Sequence, residues 1–160
     1  MKAGKAIVAG VVGGLAMTML GWIVRRMGLA MNGEMMLGTM MSSTPNLTTW
    51  LIGFAIHLMI SALIALVYAW GFEHVTHRAG LGVGLGFSII HVVIAGMVMA
   101  MIPVMHPMIP EQMPAPGAFL ANMGATFAFL FVMEHLIYGA IVGVLYGPVE
   151  HPRPARPVAA

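Results

Sequence analysis

Four runs of apolar residues, at about 6–30, 50–72, 81–102 and 118–147, constrain this chain more than any other feature. Each matches or exceeds the roughly 20 residues that a helix needs to cross the hydrocarbon core of a bilayer. In lipid, backbone N–H and C=O groups must be satisfied internally, so runs of this kind fold as helices. Only 8% of the 160 residues are charged, against about 25% in a soluble domain. The expectation is an all-α integral membrane protein with its four transmembrane helices in one domain over 1–147. A Pro-rich, disordered cytoplasmic tail is expected over 148–160.

Lys2 and Lys5 precede the first run, as in a signal peptide. No small-x-small cleavage site follows it, however, and Arg25 and Arg26 do, so it reads as the first span. With both termini cytoplasmic, Lys2, Lys5, Arg78, Arg153 and Arg156 fall inside, and Arg25 and Arg26 fall outside. The positive-inside rule favours that orientation. The long loops, 32–48 and 103–117, then lie outside, and the prolines of the second are expected to preclude regular helix there.

Composition also excludes. There is no cysteine, which removes disulfides, thiolate zinc sites, c-type haem attachment and thiol nucleophiles. A net charge of +2 gives no argument for nucleic acid, and the partner indicated is the lipid bilayer. The run Gly80, Gly82, Gly84, Gly86 lacks the spacing of a dinucleotide loop, and there is no P-loop or H-E-x-x-H. A non-enzymatic protein is expected.

The second and fourth runs repeat one another. His57 and His135 are separated by 135 − 57 = 78 residues, and Tyr68 and Tyr146 by 146 − 68 = 78. Small residues share that offset: Ser61, Ala65 and Ala69 against Gly139, Gly143 and Gly147. Spaced by four, these form the small-xxx-small ridges along which membrane helices pack closely. The first and third runs match only weakly, through glycine-rich ends that include Gly10 and Gly14. The reading is two tandem helical-hairpin repeats, with Gly10, Gly14, Ser61, Ala65, Gly139 and Gly143 as helix-packing positions.

The closing motif His135, Tyr138, Gly139, Gly143, Tyr146, Gly147, with His57 and Tyr68 closing the second run, resembles a bacterial family of four-span membrane proteins of unknown function. The resemblance covers most of the chain. It implies a four-helix protein of the bacterial inner (plasma) membrane and supplies no activity.

Glu134 and His135 interrupt the fourth run, where a carboxylate costs at least ~2.5–3.5 kcal/mol. Counting along the helices at about 1.5 Å per residue places His57, His91, His135, Glu134 and Thr18 in one layer near mid-membrane. Imidazole with carboxylate suits copper or zinc. Two histidines from different helices suit a b-type haem, and a bare Glu/His cluster suits proton or ion relay. Glu134 has no counterpart, since position 56 is Ile56. Glu134 and His135 also lie about 100° apart on the helix, so His135 is expected to face the bundle and Glu134 a neighbouring groove.

Eighteen methionines add a second candidate. Met97, Met101, Met105, His106 and Met108 could form a soft-metal path for Cu(I) from outside, or serve as flexible packing. Two function classes result. One is a membrane protein whose His/Glu layer binds a transition metal or haem, or relays protons or ions. The other is an accessory subunit that docks its small-residue ridges on a larger membrane complex, with a homodimer as a further arrangement.

Overall fold

The computed structural model describes residues 1–149; most of the tail expected from 148 lies outside the described residues. The described elements are all helical: α1 (Ala3–Arg26), α2 (Gly33–Thr39), α3 (Leu47–Gly71), α4 (Leu81–Met105) and α5 (Ala125–Tyr146). A π-helical turn, Phe72–Thr76, prolongs α3, and a 3-10 turn, Ala118–Met123, precedes α5. α1, α3 with its π turn, α4 and α5 are each long and apolar enough to span a membrane. The protein is an all-α membrane protein.

The helix ends differ from the expected limits for local reasons. α1 stops at Arg26 rather than near 30, because Gly28 turns to φ +94° and its N–H bonds the Arg25 carbonyl. The loop after it contains α2, which was not expected. There the Asn32 side chain accepts the Met35 N–H at 3.0 Å, an N-cap for a helix of seven residues. Asn46 caps α3 in the same way through the Thr49 N–H. α4 continues past Pro103 to Met105. Proline removes one donor, but the His106 N–H still reaches the Ile102 carbonyl at 2.9 Å. The fourth run is broken at Gly124, φ +111°. Before the break Phe119 takes a left-handed conformation that lays its ring against the bare backbone of Gly96.

The spans pack in the order α3, α1, α5, α4, with α2 leaning on α3. Small residues set the closest approaches. A Cβ on Gly10 would stand 2.6 Å from the Ser61 carbonyl oxygen and 2.7 Å from the Ala65 Cβ, and one on Gly14 would stand 2.6 Å from the Ser61 hydroxyl. At the α4–α5 contact, Gly84 meets the Gly139 carbonyl, Gly139 meets Ser88, and Gly143 meets the Gly80 carbonyl. The six packing positions thus lie in two interfaces: Gly10 and Gly14 with Ser61 and Ala65, and Gly139 and Gly143 with α4. Between α1 and α5, Gly13 admits the Tyr138 ring, to which a Cβ would come within 2.7 Å.

One half of the bundle is closed by aromatic rings. Tyr68, Phe72, Tyr138 and Tyr146 are buried together with Ala6, Ala65 and Val142, and Phe87 of α4 packs edge-on to Phe72 at 5.3 Å. This is where α3 and α4 meet. Toward α2 and the 106–124 segment they are not packed on one another along their length.

Candidate functional site

In the half of the bundle nearer the long loops, the gap between α3 and α4 becomes a cavity of about 610 Å³. Such a volume suits a small-molecule site. Ile60 of α3 and Ile94 of α4 line it and are also 39% and 52% exposed, so it opens sideways between these two helices. Methionines supply much of its wall, among them Met17, Met31, Met36, Met99, Met113 and Met123.

Four of the five residues expected in the polar layer form the floor, and Thr18 does not line the cavity. His57, His91, Glu134 and His135 all line this one cavity, with Ser61 and Tyr138. His91 and His135 meet edge-on, with ring centroids 4.9 Å apart. Tyr68 lies beneath them, its hydroxyl 3.3 Å from His91 Nδ1. His135 is fixed by its own helix: Nδ1 donates to the Phe131 carbonyl at 2.7 Å. In the neutral ring that bond leaves Nε2 as an acceptor. Tyr138 donates across the bundle to the Ser61 carbonyl at 2.5 Å. His57 and Thr18 differ from the rest, since His57 Nε2 and Thr18 Oγ1 are buried with no hydrogen-bond partner.

Glu134 and His135 part as the helical angle requires. His135 is buried in the bundle at 8% exposure. Glu134 turns toward α1, where Gly21 lies between it and Arg25. Arg25 in turn pairs with Glu34 of α2 at 3.3 Å and donates to the Met31 carbonyl at 3.4 Å. Arg26 takes the other direction and lies over the Trp22 ring, 5.6 Å from its centroid. Glu34, 4% exposed, was missed in the sequence because it sits in a presumed loop. An acid two residues after Asn32, in a stretch able to fold back on Arg25, was the signal available.

The metal candidates fare differently. Among the described residues no three His, Asp or Glu side chains are grouped to hold a metal ion. Linear bis-imidazole ligation of a haem iron places ring centroids roughly 6 Å apart, from metal–nitrogen bonds of about 2 Å. His91 and His135 are closer than that and edge-on. The soft-metal residues are dispersed. Met97 and Met101 face outward, 54% and 57% exposed, and Met108 is buried. Met105 lines the cavity. Both nitrogens of His106 are engaged: Nε2 with the Met36 carbonyl at 3.0 Å and Thr39 Oγ1 at 3.1 Å, Nδ1 with the Met108 N–H at 3.1 Å. His106 therefore pins α2 to the second long loop.

No family model, curated protein or solved structure matches the chain. The case for function rests on the cavity and its floor.

Proposed function

We propose that this protein is a non-enzymatic membrane protein whose His/Glu layer receives an amphipathic molecule dissolved in the bilayer. The polar end of the ligand meets His57, His91, His135 and Tyr138, and its apolar body lies among the methionines. One observation carries the reading: His57, His91, Glu134 and His135 line a single large cavity that opens sideways between two spans. Methionine suits the walls, because a flexible, polarisable thioether adapts to irregular apolar shapes. The His135 Nε2 acceptor suits a ligand with a hydroxyl or N–H at its polar end. Of the chemistries open to a mid-membrane His/Glu layer, this asks least of a set without three grouped metal ligands.

The repeat supports the reading and gives the opening a cause. Ser61 and Gly139 are 78 apart, and their partners Gly10 and Ser88 are also 88 − 10 = 78 apart. Two copies of one hairpin would make the α1–α5 contact equivalent to α4–α3. At α1–α5 the meeting residues are Gly13 and Tyr138. Their counterparts at the same offset are His91 and Ile60, which both line the cavity. A histidine where the sister interface has glycine holds α3 and α4 apart. Residence in a bacterial inner membrane with both termini inside, and membership of the four-span family the motif resembles, belong to the same proposal. For the accessory-subunit alternative nothing comparable distinguishes one outward face from another.

The test is extraction. Protein purified in mild detergent is denatured in organic solvent, and the extract is compared by mass spectrometry with that of A95W, which fills the cavity from α4. The expected result is one amphipathic species near stoichiometry in the wild-type protein and its loss in A95W. Extracts that are alike, or that contain bulk lipid alone, contradict the reading.

A further inference from the structure

A second cavity of about 50 Å³ adjoins the first on its α1 side, lined by Arg25 of α1, Glu34 of α2, His57 of α3 and Glu134 of α5. Four elements thus bring four ionisable side chains to one small space. Arg25 and Glu134 flank Gly21: a Cβ there would stand at ordinary contact distance from both, 3.4 Å from Arg25 Nη1 and 3.9 Å from Glu134 Oε1. The guanidinium therefore faces two carboxyl groups, Glu34 directly at 3.3 Å and Glu134 across bare backbone. His57 lines both cavities, and its buried Nε2 has no partner.

Charge decides what the space holds. With both carboxylates ionised and the imidazole neutral, the sum is +1 − 2 = −1. An uncompensated charge among membrane spans is strongly disfavoured. The other ionisable groups near Glu134 are His135 and Tyr138 on its own helix and His91 on α4, all on the floor of the larger cavity. Arg26 is turned away onto Trp22. Arg25 is thus the fixed cation of the chamber, and one positive charge is wanting. The space is also polar and wide enough for roughly one to three waters by the usual volume criterion.

We propose that this chamber is a protonation site, holding one exchangeable proton that Glu134 and His57 Nε2 share through bound water. Transfer breaks the carboxyl O–H bond of Glu134 and forms N–H on His57, leaving carboxylate and imidazolium with no change in net charge. Because His57 belongs to both cavities, the proton can be presented to whatever occupies the larger one. The inference deepens the reading of the His/Glu layer but needs no ligand in the larger cavity.

Infrared difference spectroscopy of the full-length protein in proteoliposomes, recorded between acid and alkaline pH, tests it without a ligand. The expected result is a carbonyl band of a buried, protonated carboxyl that titrates, downshifts in D₂O and is lost in E134Q. E134D, which retains an acid at this position, should shift the band rather than remove it. A spectrum with no such band, a band that survives in E134Q, or one that E134D leaves unmoved overturns the proposal. None of these outcomes bears on extraction of an amphipathic ligand, so the two readings fail separately.

Discussion

At the scale of single residues, one hydrogen bond and one ion pair tie the cavity to its frame. Tyr138 spans from α5 to the Ser61 carbonyl of α3 while its ring covers Gly13 of α1. Y138F keeps the ring and loses the bond, so it should cost about 1 kcal/mol; Y138A loses both and should cost several-fold more. Thermal unfolding in detergent ranks the two. R25A strands Glu34, which is 5% exposed as a side chain. Removing one partner of a fully buried pair costs about 3–5 kcal/mol, and less is expected here because Arg25 is one-fifth exposed. The double variant R25A/E34A should recover part of the loss, and R25A without any loss would deny the pair a structural role. Burial of His135 was readable from its place on the small-residue ridge. The partner of Arg25 was not, because it depends on how a seven-residue helix after Asn32 folds back to bring Glu34 to it.

At the scale of helices, glycines with and without neighbours give contrasting predictions. The run at the start of α4 looks uniform in sequence, yet Gly84 meets the Gly139 carbonyl while Gly82 and Gly86 have nothing within 4 Å. G84A should therefore destabilise by about 1–3 kcal/mol through overpacking. G82A and G86A should be neutral or stabilise by up to about 1 kcal/mol, because alanine favours helix. Equal melting shifts for the three variants would contradict the packing described. The four-residue ridges of α3 and α5 showed which face packs, since spacing alone carries that information. They did not show that α1 and α5 form the central contact. That depends on one glycine accepting one tyrosine ring. Nor could the breaks at Gly28 and Gly124 be read from apolar runs, since hydropathy continues across both.

For the whole molecule, the four spans were legible because bilayer crossing needs only length and apolarity. The lateral cavity was not, because it arises where two spans fail to pack, and a sequence pattern records packing better than its absence. The methionines illustrate this. As a list they suggested a copper path; in place, Met17, Met99 and Met123 line the cavity while Met19, Met97 and Met101 face outward. That division supports the measurement closest to the central claim. The protein is reconstituted in liposomes with an alkyl amphiphile that bears a hydroxyl head group and a diazirine on its chain. It is irradiated, digested and mapped. The account predicts adducts on cavity segments around Met17, Met99 and Met123 that A95W suppresses, while labelling near Met19 and Met101 is unchanged. Adducts confined to the outward-facing segments, or cavity labelling indifferent to A95W, would contradict it.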